Sequence, residues 1–147
     1  MDYSKINFDE LRSELVAFRR ERHRHPENGW TEFLTTSEVI KKLESFGIPY
    51  IYGKEIHTKE KRYGLPSEEN LKACMERAIS EGADPQLVKN MEGGYTGVVA
   101  IIDTGRPGPT TGIRCDMDCN DVRESKSPEH FPVAEGFDSI HPNLMHG

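Results

Sequence analysis

The chain has 147 residues, 35% of them hydrophobic and 30% charged, with a formal net charge of −6. That length suits one domain with a real core, and the acidic balance argues against a nucleic-acid partner, because phosphate binding needs a basic face. No apolar run is long enough to cross a bilayer, and Met1-Asp2-Tyr3-Ser4-Lys5 has no apolar signal core, so a cytoplasmic location is the expectation.

The first helix is predicted from Phe8 to Arg24. Asn7 can cap it with Glu10 three residues on, and Leu11, Leu15 and Phe18 recur on one face. Pro26 stops it, since the residue before a proline avoids the helical region. A second helix is predicted from about Thr31 to Phe46, ended by Gly47 and followed by a short strand, Ile48 to Tyr52. The polar stretch 53–66 reads as loop. Ser67 can cap a third helix over 68–81, and Asp84-Pro85 opens a short fourth one, with Gly93-Gly94 breaking it. Tyr95 to Ile102 is a nearly continuous β-rich run. After the Gly105-Arg106-Pro107-Gly108-Pro109 turn, Thr110 to Cys115 is the next predicted strand, and the two could pair as a hairpin inside a mixed sheet. Residues 119–147 are polar and irregular. Helix–Gly–strand alternation gives an α/β class with helices packed on a mixed β-sheet.

Asp116 and Asp118 follow the last predicted strand. The carboxyl edge of an α/β sheet is where ligands gather, and acids at i and i+2 on extended chain point the same way. They could bind a metal or orient a metal-bound histidine; taken alone the pattern is weak, and solvated acids in a turn after the strand are the preferred reading. His23 and His25 diverge on a helix but could converge on extended chain, and a structural role pinning the first helix to the sheet is preferred. His130 and His141 read as surface loop residues. Cys74, Cys115 and Cys119 are an odd set without a secretory signal, which points to free thiols. The Cys115/Cys119 spacing could suit a metal, but no second pair supports it, so small, partly buried residues are expected. There is no Gly-x-Ser-x-Gly elbow, no Walker loop and no dinucleotide fingerprint.

Three separated motifs carry a family likeness: Arg19-Arg20-Glu21-Arg22-His23-Arg24-His25-Pro26-Glu27 with Gly29, Trp30 and Glu32; Gly105-Arg106-Pro107-Gly108-Pro109 followed by Arg114-Cys115-Asp116-Met117-Asp118; and Met145-His146-Gly147. In these the chain resembles the zinc-dependent aminoacylase and carboxypeptidase superfamily, in the branch of N-acyl-amino-acid and aminobenzoyl-glutamate hydrolases. Gly64-Leu65-Pro66-Ser67-Glu68-Glu69 and Gly94-Tyr95-Thr96-Gly97-Val98-Val99 suggest the aminobenzoyl-glutamate subgroup.

The resemblance implies the N-terminal part of a catalytic α/β domain, with 53–92 an insertion and 119–147 a segment leading to the metal site. It implies two divalent metal ions, zinc or manganese, an activated water and a small N-acyl or peptide-like amide substrate. It assigns Asp118, and less firmly Asp116, to supporting the metal site. Cys119-Asn120-Asp121 departs from the family's usual Ala-Leu-Pro, and Gly147 stands where alanine is more common. His146 matches the family's Met-His, which is not itself usually a ligand. The Cys-Gly-His that begins the family's metal site would fall just past Gly147, so this chain is expected to be inactive alone and not to hold the metals stably. The alternative is a non-catalytic α/β binding module that self-associates through an open sheet edge.

Overall fold

A computed structural model describes residues 7–146; Met1-Asp2-Tyr3-Ser4-Lys5 and Gly147, which figure in the sequence reading, lie outside the described residues. The first helix, α1, is Phe8–Arg24. It begins where a cap exists: Asn7 Oδ1 accepts the Glu10 backbone N–H at 3.2 Å, and the Asn7 side-chain amide donates to Glu10 Oε2 at 3.1 Å. It stops at His25, immediately before Pro26.

The second helix, α2, is Phe33–Ser45. It starts two residues later than its apolar pattern suggests, because Thr31 is held in a turn, its N–H and its hydroxyl both donating to the Asn28 carbonyl at 2.9 and 2.8 Å. Its end is a Schellman motif. Gly47 sits at φ 64°, its N–H reaching the Glu44 carbonyl, while the Ile48 N–H reaches Leu43 at 3.0 Å. Strand β1, Tyr50–Tyr52, follows, and then two 3-10 turns, Gly53–Ile56 and Lys59–Lys61. Helix α3 is Glu68–Ser80, capped by Ser67 through the Asn70 N–H at 3.2 Å. Helix α4 is Pro85–Asn90, capped by Asp84, whose carboxylate accepts from Gln86 and Leu87 at 2.7 and 3.3 Å. Strand β2 is Val98–Ala100 and a last short helix, α5, is Phe131–Ala134.

The α/β class holds, with helices and a small sheet. That sheet has two strands, β1 and β2, antiparallel with Ile51 opposite Val99. The strand expected over Thr110–Cys115 does not form, nor does its hairpin with the preceding run. The Ile101 N–H donates to Pro49 at 2.8 Å, and beyond it no backbone–backbone hydrogen bond engages residues 102–118 among those described. The residues have strand propensity, but a ladder needs a neighbour, and propensity without a partner strand does not make one.

The chain divides into two compact units. The larger, Glu27–Asp118, has a core of Phe33, Leu34, Leu71, Cys74, Ala78, Val88 and Met91, where α2, α3 and α4 meet. Burying these side chains is its main stabilising term.

The smaller unit joins α1 to the segment from Cys119 onward. It has little apolar burial. Phe8, Leu11, Leu15 and Val16, the apolar stripe of α1, are all exposed. A polar centre takes the place of a core. The Glu124 carboxylate, 1% exposed, receives His23 Nε2 at 2.7 Å and His130 Nε2 at 3.0 Å on one oxygen, and the Ser139 N–H at 2.5 Å on the other. An ionised carboxylate only accepts, so both imidazoles carry their proton on Nε2. Burial pushes the Glu124 carboxyl up, but the bonds from His23, Ser139 and His130 outweigh it and the carboxyl lies below the usual glutamate value. Around this centre the Arg20 guanidinium stacks on Phe137 at 4.7 Å, and Arg24 Nη1 donates to the Gly136 carbonyl at 2.8 Å.

Two expectations change here. His23 is structural, but its partner is Glu124, not the sheet. His130 is not a plain surface residue; it is half-buried and supplies one of the three donors.

Replacing Glu124 with alanine leaves His23 buried without its acceptor and is expected to cost about 3 kcal/mol in urea denaturation. A lowered folded pKa contributes stability that is present above the unfolded value of 4.5 and is lost as pH falls through the folded one. The unmodified chain should therefore lose stability steeply below about pH 4.5, and Glu124→Ala should lose less over the same range.

Candidate functional site: an acidic cluster at the start of α2

The motif residues around Glu27 and those around Asp118 meet in the larger unit. Glu27, 1% exposed, accepts the backbone N–H groups of Leu34 at 3.0 Å and Thr35 at 2.8 Å, one on each carboxylate oxygen. These are first-turn donors of α2 that have no partner within the helix, and a negative charge there also meets the positive end of the helix dipole. The link fixes the loop between Glu27 and Phe33. Trp30 takes φ 70° within it, a left-handed conformation that costs energy for an aromatic residue. Its indole N–H donates to the Tyr63 carbonyl at 2.9 Å, which helps to hold it there.

Glu32 and Asp118 complete the cluster. The Thr96 hydroxyl donates to Glu32 Oε2 at 2.5 Å, and the Gly97 N–H donates to the Thr36 hydroxyl at 2.9 Å, tying the residues before β2 to α2. Asp118 is exposed, and its Oδ2 lies 3.7 Å from where a Cβ on Gly29 would stand, an ordinary van der Waals distance. Burial pushes the Glu32 carboxyl above its usual value. The Thr96 bond opposes this, and the negative charges of Asp118 and Glu27 add to it. Burial also raises Glu27, against its two backbone hydrogen bonds and the nearby Arg77 guanidinium. Glu32 thus holds its proton to higher pH than an ordinary glutamate, beside an exposed aspartate.

An aromatic and cationic wall adjoins the cluster. His57 Nε2 donates to the Thr96 carbonyl at 2.7 Å, and its ring lies 5.6 Å from Trp30 and 5.8 Å from Tyr95. Arg62 lies over Tyr95 at 3.6 Å and donates to the Gly93 carbonyl at 2.9 Å. Gly94 sits behind this wall at φ 76°. A Cβ there would come within 3.0 Å of the Trp30 carbonyl oxygen, so any larger residue meets both strain and a backbone clash.

Asp116 and Asp118 do not act as a pair here. Asp116 is exposed and forms an ion pair with Arg114 at 2.5 Å, of the kind worth at most about 1 kcal/mol. Asp118 faces Gly29 and influences Glu32. None of the three cysteines is in a disulfide. Cys74 and Cys119 are buried, whereas Cys115 is exposed. His57, Arg62 and Glu124 have no sequence signal, and Thr96 has one only as a member of the Gly94-Tyr95-Thr96-Gly97-Val98-Val99 stretch. Their importance comes from contacts across 39, 31, 101 and 64 residues of chain respectively.

The cluster does not fit a zinc ligand set. Both Glu27 oxygens are used by backbone N–H groups, and Glu32 is engaged by Thr96. Zinc sites draw on histidine and cysteine as well as carboxylate. What these residues can do is hold a proton, fix a loop and present one exposed carboxylate, that of Asp118.

A folded pKa raised above its unfolded value makes stability fall as pH rises from about 4.5 through the folded pKa, where the buried group is forced to ionise. Glu32→Gln keeps an acceptor for Thr96 and removes the charge. It should be more stable than the unmodified chain at pH 8, with the gap closing near pH 4, by urea denaturation. Glu27→Ala should instead cost about 2 kcal/mol, since two helix N–H groups lose their acceptor.

No family model matches the chain. Curated relatives do. It is 40% identical over 137 residues to indole-3-acetyl-aspartic acid hydrolase of Enterobacter agglomerans, and 40% identical over 136 residues to a p-aminobenzoyl-glutamate hydrolase subunit of Escherichia coli. These alignments take in 93% and 92% of this chain but 31% of each relative, so the chain spans about a third of their length. The crystal structure of an aminobenzoyl-glutamate utilization protein from Klebsiella pneumoniae superposes with a TM-score of 0.74 at 42% identity, over 77% of this chain and 28% of that one. The likeness read from the Arg-Arg…His-Pro-Glu, Gly-Arg-Pro-Gly-Pro and Asp-Met-Asp motifs is therefore one of descent: this chain is a homologue of the aminobenzoyl-glutamate hydrolase-type amidohydrolases over about a third of their length.

Proposed function

We propose that this chain supplies one part of a metal-dependent amidohydrolase that cleaves the amide bond of a small N-acyl amino acid, with an aromatic acyl group on an acidic amino acid as the nearest substrate type. The single observation that supports it most is the hydrolase kinship at 40% identity across nearly all of the chain. The names of the relatives supply the substrate class. In such a reaction metal ions would polarise the carbonyl and activate water. The chain's own contribution is the acidic cluster: Glu27 sets the loop, Glu32 and Thr96 hold β2 to α2, and Asp118 offers a carboxylate able to orient a metal-binding side chain supplied by further polypeptide. Asp116, paired with Arg114, is given no such role.

On this reading the chain alone is inactive, because the larger unit offers one exposed carboxylate and no zinc ligand set at its acidic cluster. A cytoplasmic location and the absence of nucleic-acid and membrane partners accompany it; no helix among the described residues is long and apolar enough to cross a membrane.

The second reading, a module that self-associates, draws on the exposed apolar stripe of α1 and the uncovered run after β2. Sedimentation at micromolar concentration separates the two. A concentration-dependent dimer with sharp unfolding favours the module.

Purified chain given zinc or manganese with p-aminobenzoyl-glutamate or indole-3-acetyl-aspartate should show no turnover above the metal-only control. Turnover abolished by a chelator would overturn the incomplete-enzyme reading.

A further inference from the structure

Helix α1 carries an apolar seam that the described residues leave uncovered. Phe8, Leu11, Leu15 and Phe18 follow one another at steps of three, four and three, which keeps them in line over about two and a half turns. They are 60%, 42%, 60% and 38% exposed. The contacts that hold α1 in the smaller unit leave from its other side, where Arg20, His23 and Arg24 reach Phe137, Glu124 and Gly136. Along the seam runs a shallow groove of about 340 Å³, lined by Phe8, Leu11, Arg12, Leu15, Val16 and Arg19.

The flanks of the seam are charged, with opposite signs. Arg12 and Arg19 border one side and Glu14 and Glu21 the other, and all four are exposed. Two copies of such a helix lying side by side in the same direction bring the acidic flank of each against the basic flank of the other. Each Glu14 then faces the other copy's Arg19, five residues further on, the spacing of ion pairs across a parallel helix pair. In opposite directions like would meet like: Arg12 would face Arg19, and Glu14 would face Glu21.

We propose that α1 is an interface for a second copy of this chain, the two helices pairing in parallel through Phe8, Leu11, Leu15 and Phe18 with Glu14–Arg19 ion pairs on both flanks. Charge complementarity selects the occupant, since the same helix supplies both signs at the matching positions. The contact is small. The seam and Val16 expose on the order of 400 Å² per copy, so the pair buries about 800 Å², the low end for a specific interface. The net charge of −6 on each copy also opposes approach, so the dimer is weak and depends on concentration. Pairing through α1 rests on the self-associating reading above and names its contact; the acidic cluster takes no part in it.

The test is sedimentation of the full chain at low salt between about 10 and 500 μM, where it should pass from monomer to dimer. Leu15→Ala, at a position 60% exposed, should leave the unfolding midpoint of the dilute chain unchanged and weaken the dimer about tenfold. Glu14→Arg alone and Arg19→Glu alone each set like charges against each other on both flanks, so each should weaken the dimer about tenfold. An equal mixture of these two variants puts opposite charges back on both flanks and should dimerise to within about threefold of the unmodified chain. Recovery on mixing also shows that both variants fold.

A chain that stays monomeric across that range overturns the pairing and the self-associating reading together. A dimer that Leu15→Ala leaves unweakened keeps that reading and sinks the pairing through α1, because another surface then holds the copies. A dimer that Leu15→Ala weakens and Glu14→Arg tightens has its helices antiparallel, which overturns the parallel arrangement. A mixture as weak as either variant by itself overturns the Glu14–Arg19 pairs.

Discussion

The buried carboxylate of Glu27 at the start of α2 is the constraint on which the larger unit depends. Two first-turn N–H groups would be unsatisfied next to the core without it, since Leu34 is buried and Phe33 beside it is fully so. Burying a carboxylate is costly, and the cost shows as the upward push on its pKa. The two backbone bonds, the helix dipole and the nearby Arg77 offset it. In return the loop before α2 is fixed, and with it the positive-φ Trp30, Gly29 beside Asp118, and Glu32 beneath Thr96.

The smaller unit is built on the same principle with different partners. Its organising group is also a buried carboxylate, Glu124, but the donors are two imidazoles and one backbone N–H. The directions of the two pKa shifts follow from this. Glu124 is lowered because three hydrogen bonds prevail over burial, while Glu27 is raised because burial prevails over two. One unit therefore weakens as its carboxylate is protonated in acid, and the other carries acidic groups that resist ionising. The smaller unit relies on polar bonds because the apolar stripe of α1 faces outward: it has helical spacing and still finds no cover within the described chain, while Phe137 is among the few apolar residues that this unit buries.

Much of this is legible in the sequence where the physics is local. The bounds of α1, the Schellman end of α2 at Gly47, the Ser67 cap and the Asp84-Pro85 start follow from short-range steric and hydrogen-bonding rules, and each is found where those rules put it. The family likeness is legible for a related reason: its motifs are contiguous. The strand expected at Thr110–Cys115 is absent because strand propensity is a statement about fitting a neighbour, and the neighbour is not within the described chain. The Glu32–Thr96 and His23–Glu124 contacts are not legible because side chains 64 and 101 residues apart meet only through the path of the chain.

By itself, then, the sequence determined the helices, their caps and the hydrolase kinship, since all three are written in residues a few positions apart. Only the tertiary structure decided what the motif acids touch. It separated Asp116, tied to Arg114 in solvent, from Asp118, set against Gly29 near Glu32. It made Glu27 a helix anchor instead of a free acid. The reason is that a carboxylate's chemistry is set by its burial and its hydrogen-bond donors, and both are properties of the folded neighbourhood.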